Sequence, residues 1–347
     1  MTEAHLVGSV NLPTATDVFT TAATELGSEL KRIPDGETGS RVAFVASILP
    51  ALKATPELEE REVHLEDFAP TEEFSMPLFA IRDDVEGDFD LARLGYADWA
   101  RASYAEFSKL ADDGIIPSTT RFQVSIPGVH TFAVSFSPVD DQERMLPVWR
   151  RALATEVADI VASIPADRLS IQWDVPAEVG ILERFFDYYA DVEADEIGAY
   201  IAGLASLVPE GVEVGYHFCY GDAPPAVGEK GRHWKEPDDL STVVVLANAL
   251  FAHADRPIDW IHLPVPIDRD DDAYFAPLAD LAIPEDTALF VGLVHEEDGA
   301  EGAQRRIESA SKYVHGFGVS TECGLGREPQ GSVPGIMALH RDLKVPA

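Results

Sequence analysis

The stretch Val214-Gly215-Tyr216-His217-Phe218-Cys219-Tyr220 joins an apolar run to a His-x-Cys pair. Residues two apart on an extended chain project to the same side, so a strand ending here delivers an imidazole and a thiol to one place. The only other cysteine, Cys323, lies in Val319-Ser320-Thr321-Glu322-Cys323-Gly324, again just past an apolar run. Two thiolates and one imidazole make a three-donor set for Zn2+. They leave a coordination position for water or substrate, as a catalytic rather than a structural zinc requires. Taken alone, such a pair is more often plain packing, because Cys behaves as a small apolar residue. A Cys219–Cys323 disulfide is the other alternative.

Composition bears on that choice. The chain has 347 residues, within the range of an α/β barrel, and is 46% apolar, so it buries a core rather than staying disordered. No basic leader precedes the first apolar run, and no apolar stretch is long enough to span a bilayer, so a cytoplasmic protein is expected, where thiols stay reduced. Asp and Glu number 61 against 26 Lys and Arg, a net charge of −35. That charge repels phosphate backbones and anionic lipids, so no nucleic-acid and no membrane partner is expected. A surface this acidic and poor in lysine suits a salt-rich, halophilic setting in which screening removes self-repulsion. The melting temperature is accordingly expected to rise with molar salt, and a flat or falling profile in a salt titration would dismiss that reading.

Something must position the three donors. Strand-like runs cover 120–126, 169–173, 212–216, 260–263, 289–294 and 314–320, with helical segments between them at 146–164, 197–207, 240–252 and 302–313. Strands near Leu6 and Leu30, a helix capped by Thr16 or Asp17, and a helix over 95–112 complete the count at eight strand-and-helix units. Eight units predict a single (β/α)8 TIM barrel over 1–347 rather than a doubly wound sheet, since no Gly-rich phosphate turn follows the first strand. Residues 54–91, acidic and poorly periodic, read as an insertion with some strand content between strands two and three.

The C-terminal strand ends of a barrel converge on one mouth. Strand one releases Ser9 and Asn11 there, strand two Asp35 and Glu37, and strand four Asp174. Strand five gives His217 and Cys219, strand six His262, strand seven His295, and strand eight Glu322 and Cys323. By contrast His64, His233, His253 and His340 are scattered. Asp35 and Glu37 sit in Pro34-Asp35-Gly36-Glu37 with Arg41 close by, a pattern that an ordinary solvated turn would also show.

These residues together resemble the catalytic C-terminal barrel of cobalamin-independent methionine synthase, within the wider group that includes epoxyalkane:coenzyme M transferase and, more distantly, uroporphyrinogen decarboxylase. The family's His-x-Cys-Tyr zinc pair matches His217, Cys219 and Tyr220, and its Asp-Cys-Gly-Leu matches Glu322, Cys323, Gly324 and Leu325. Its Gln-x-Asp-x-Pro-Ala, whose Asp binds the substrate's amino group, matches Gln172, Asp174, Pro176 and Ala177. Gly8 and Ser9 match its early Gly-Ser, Asp35-Gly36-Glu37 resembles its His-Gly-Glu turn, and its proton-donor histidine falls on His295.

The resemblance implies a zinc-dependent methyl or alkyl transferase acting on a thiol, with a small-molecule thiol and an alkyl donor as partners. His295, Asp174 and Glu37 would be catalytic, and Ser9, Asn11, Asp35, Arg41, Asp174 and Tyr220 would bind substrate. His217, Cys219 and Cys323 would hold the metal. The family's fourth ligand, a glutamate after strand six, is absent from Ile261-His262-Leu263-Pro264; His262, another carboxylate or a water would take its place. The second acid of Asp-Glu-Pro-Ala is Val175, and Val124-Ser125-Ile126-Pro127-Gly128 replaces the folate-stacking strand, which leaves acceptor and donor open. A zinc-dependent lyase or epoxide:thiol transferase, or a metal-binding barrel without catalysis, are the alternatives. If substrate lacks an amine, Arg41 and Arg327 could meet an anion instead. Monomer and homo-oligomer both stay open.

Overall fold

The computed structural model describes residues 2–41, 44–61, 77–186, 191–221 and 233–346. In chain order the strands are β1 Ala4–His5, β2 Arg32–Pro34, β3 Leu58–Arg61, β4 Leu78–Ile81, β5 Arg121–Pro127 and β6 Leu169–Asp174, then β7 Glu213–His217, β8 Trp260–Pro264, β9 Ala288–Val294 and β10 Gly318–Thr321. The helices are α1 Ala15–Glu25, α2 Leu49–Ala54, α3 Tyr96–Asp112, α4 Val129–Phe136, α5 Val139–Ser163, α6 Pro176–Leu182 and α7 Ala194–Ala205. They continue with α8 Ser241–His253, α9 Asp272–Phe275, α10 Gly299–Ala310 and α11 Val333–Asp342.

Eight strands run parallel in the order β1-β10-β9-β8-β7-β6-β5-β2. The ends of that sheet meet through parallel bridges from Ala4 to Leu30 and from Ser9 to Gly36, giving a nearly closed α/β barrel with helices between strands. The strands read as near-continuous apolar runs because both faces are covered: β6 is buried at every residue, and so is β8. Outside, Phe19 of α1 meets Phe107 of α3 edge-on at 5.4 Å, and Phe107 packs on Phe122 of β5 at 5.6 Å. Fully burying side chains of this size stabilises a fold by roughly 1.5–3 kcal/mol each.

Inside, side chains rather than solvent fill the barrel. Trp260 of β8 is fully buried and lies over the gap left by Gly215 of β7, where a Cβ would come within 2.1 Å of the indole. The Arg32 guanidinium stacks 4.0 Å above the same ring and pairs with Glu213 at 3.3 Å, closing the end of the barrel opposite His217.

Several boundaries differ from the expectation. The cap of α1 is Thr14, whose hydroxyl accepts from the Asp17 backbone, not Thr16 or Asp17. Helix α5 begins at Val139, seven residues before its expected start at Leu146, and runs through Pro147. The last strand begins at Gly318, after the positive-φ turn at Gly316 (φ 70°), and not at Val314. Within the expected insertion, β3 and β4 form an antiparallel pair with Leu58 opposite Ile81. Residues 62–76, including His64, lie outside the described residues. Among the described residues no helix is long and apolar enough to cross a membrane.

Candidate metal centre

Register brings the donors together. Parallel pairing sets Asp174 of β6 beside His217 of β7, and His217 beside His262 of β8. Cys219 follows β7 by two residues, and Cys323 follows β10 by two, so both thiols overhang the mouth at the strand ends. The ligand atoms of His217, Cys219 and Cys323 all lie within 4.8 Å of one another. Cys219 Sγ is 4.0 Å from Cys323 Sγ, and Cys323 Sγ is 3.8 Å from His217 Nε2. Both cysteines are free, and the sulfur separation is about twice the ~2.05 Å of a disulfide.

The donor set fits zinc. Tetrahedral bonds of about 2.3 Å to sulfur and 2.0 Å to nitrogen require S···S near 3.8 Å and S···N near 3.5 Å, within a few tenths of the distances found. The thiol of Cys323 points at Cys219 and, with His217 alongside, holds the Cys219 thiol well below its ordinary range. The same contact, with burial, pushes Cys323 well above it.

His262, one of the alternatives for the fourth ligand, is not among the grouped donors of the described residues. Its Nε2 lies 3.0 Å from the Thr321 carbonyl and its Nδ1 lies 2.8 Å from His217 Nδ1, so both ring nitrogens are engaged behind the site. Burial holds its pKa well below the usual imidazole value.

Carboxylates gather on the side of β2 and β6. Asp174 accepts from Gln172 Nε2 at 2.8 Å, and burial, opposed by His217 and that hydrogen bond, raises its pKa to about 7. Glu37 is half-buried and lines a small cleft together with Asp35, Arg41, Tyr96, Gln123 and Ser125. Desolvation first, then the neighbouring Asp174 charge, pushes its pKa up to about 8, against the pull of Arg41. Arg41 is committed to Asp35, whose Oδ2 it meets at 2.5 Å while Ser103 donates to the same oxygen at 2.6 Å.

The remaining expected residues serve the walls. Ser9 is overlaid so tightly by the 324–326 turn that a Cβ on Gly324 would fall 2.3 Å from its hydroxyl. Asn11 donates to the Glu328 carbonyl at 2.7 Å, tying that turn to the first loop. Tyr220 is buried and its hydroxyl meets Tyr274 Oη at 2.6 Å, while Tyr274 donates to the Pro264 carbonyl. His295 is half-buried at the end of β9 and donates from Nε2 to the Val265 carbonyl at 2.8 Å; burial lowers its pKa. Arg327 lies within electrostatic reach of Cys219.

Two groups had no signal in the linear sequence. His233, scattered when read along the chain, pairs through Nε2 with Glu322 at 3.1 Å; burial alone would lower its pKa, but Glu322 and the Cys219 charge raise it to about 9. His5 hydrogen-bonds Gln172 at 2.9 Å, and Gln172 reaches Asp174, so a polar column runs up the barrel interior to the mouth. Both depend on contacts spanning more than eighty residues of chain, which no local pattern announces.

No protein-family profile matches this chain, and no curated protein matches it. Among solved structures, the chain is similar to a B12-independent methionine synthase from Shewanella sp. W3-18-1 in complex with selenomethionine. The TM-score is 0.61 at 14% identity, over 98% of this chain and 95% of that one. At that identity the likeness establishes the fold: eight parallel strands closed into an α/β barrel of the architecture used by that synthase.

Proposed function

We propose that the protein is a zinc-dependent transferase that moves a methyl or other alkyl group to a small-molecule thiol. The observation that carries the reading is the convergence of two sulfurs and one imidazole nitrogen at the barrel mouth, at separations matching tetrahedral zinc. The likeness in fold to a methionine synthase supports the same reaction class. His217, Cys219 and Cys323 would hold the ion. When bound, zinc in such a sulfur-rich set keeps a substrate thiol deprotonated and nucleophilic near neutral pH.

The chain's own groups do the rest. Asp174 and Glu37, with pKa values raised to about 7 and about 8, hold protons more readily than ordinary carboxylates. A cationic amine entering beside them favours their ionised forms, so the pair orients an amine-bearing substrate by surrendering protons it holds only weakly. The Nε2–H of His295 is fixed on the Val265 carbonyl, so proton traffic to a leaving group passes through Nδ1. Tyr220 and Asn11 keep the loops around the mouth in place.

The test is metal analysis of the purified protein followed by thiol titration with candidate methyl donors. About one zinc per chain and donor-dependent loss of free thiol, both abolished by chelation, are expected. A zinc-free protein that leaves thiols untouched under every donor would sink the proposal.

A further inference from the structure

His262 occupies a position on β8 that the transfer chemistry does not touch, yet both its ring nitrogens make close contacts behind the site. Three facts bear on its role. Its Nε2 faces the Thr321 carbonyl at 3.0 Å. A carbonyl can only accept, so Nε2 carries the proton, and the neutral ring presents a bare Nδ1. That Nδ1 meets His217 Nδ1 at 2.8 Å, a separation that requires one of the two nitrogens to donate. The donor is therefore His217 Nδ1–H, and the nitrogen of His217 left to lose its proton is Nε2, which faces Cys323 Sγ at 3.8 Å.

We infer that His262 is a positioning residue: it fixes His217 in the Nδ1–H tautomer and turns the Nε2 lone pair toward the two sulfurs. The inference rests on the metal reading of the site, and it assigns to a second histidine the work that carboxylates or backbone carbonyls usually perform behind a metal-bound imidazole. Burial explains the choice. His262 is fully buried in the barrel interior, with the His5 ring 6.0 Å away and the His217 ring 4.7 Å away. A carboxylate there would need its own counter-charge, whereas a neutral imidazole needs only one acceptor and one donor.

Thr321 extends the same device to the second strand. Its carbonyl anchors His262, and its hydroxyl donates to the Cys323 backbone carbonyl at 2.6 Å. One residue at the end of β10 thus ties the imidazole arm and one thiol arm together, so that the donor set is held before any ion arrives. Without His262 the ring of His217 would be free to favour the opposite tautomer, with its proton on the nitrogen that must coordinate.

Two readouts separate this inference from the proposed activity. Long-range proton–nitrogen correlation on 15N-histidine-labelled, metal-free wild type in alkaline buffer is expected to show His217 protonated on Nδ1 and bare on Nε2. The opposite tautomer would overturn the inference without any variant being made. Zinc affinity measured against a competing chelator is expected to fall about 10–100-fold in His262→Leu. Most of that loss should return in His262→Asn, whose side-chain oxygen can accept from the same His217 N–H. Unchanged affinity in the leucine variant, or no recovery with asparagine in a protein of wild-type circular dichroism, would also overturn it. A wild type that shows the Nδ1–H tautomer but binds no zinc would refute the transferase reading while supporting the positioning role.

Discussion

Cys323→Ser protein is expected to fold and melt close to metal-free wild type while binding zinc roughly 10³-fold more weakly. The two halves of that expectation come from different links of the argument. Cys323 is half-buried and its backbone is held by Thr321, so exchanging sulfur for oxygen leaves strand β10 and its turn in place. A hydroxyl, however, does not ionise at neutral pH and is a poor partner for zinc, so the donor set drops from three to two. The serine hydroxyl can still donate toward Cys219, which keeps His217 as a neighbour. Chelator competition reads the affinity, and thermal unfolding without metal reads the fold. Wild-type affinity in the variant would remove Cys323 from the donor set and the zinc site with it.

The clustering of His217, Cys219 and Cys323 was legible in the sequence because strand geometry is local. His217 and Cys219, two residues apart after an apolar run, had to share a side, and only one other cysteine could join them. The eight alternating units were legible for the same reason, since buried parallel strands leave long apolar runs. What was not legible depends on register. His262 looked like a spare ligand because it lies near the strand end. Only the pairing of β7 with β8, which sets it directly beside His217, turns it into a hydrogen-bond acceptor behind the site. His233 and Glu322 lie some ninety residues apart and meet through tertiary folding alone. Short helices such as α6 and α9 were missed because seven and four residues hold too little periodicity. The start of α5 was missed because Pro147 signals a first turn, and here it sits inside the helix instead.

Glu37 is expected to make the fold less stable as pH rises, and Glu37→Gln to cancel that loss. The turn Asp35-Gly36-Glu37 forces the carboxyl into the cleft: Gly36 has φ 78°, Glu37 itself has φ 50°, and its backbone N–H donates to Asp35 Oδ1 at 3.0 Å. A non-glycine residue in the left-handed region costs free energy, and such strain persists where the surroundings hold a side chain to a purpose. There the carboxyl is desolvated beside Asp174, and the cation that would relieve it, Arg41, is already held by Asp35. The folded pKa of about 8 lies above the ordinary glutamate value of 4.5. The native state therefore binds the extra proton in that window, and the contribution is complete below about pH 4.5 and lost as pH climbs through about 8. Because the group is only half-buried, the difference between wild type and Glu37→Gln across the window should be on the order of 2 kcal/mol rather than the full linkage value. Parallel denaturant-unfolding profiles for the two proteins over that range would show that the carboxyl is not held as described. The same substitution also tests function. If the strained carboxyl is kept in the cleft to meet an ammonium group, Glu37→Gln raises KM for amine-bearing thiols and leaves amine-free thiols unaffected. A uniform change in both would mean that the turn shapes the cleft without reading the substrate's charge.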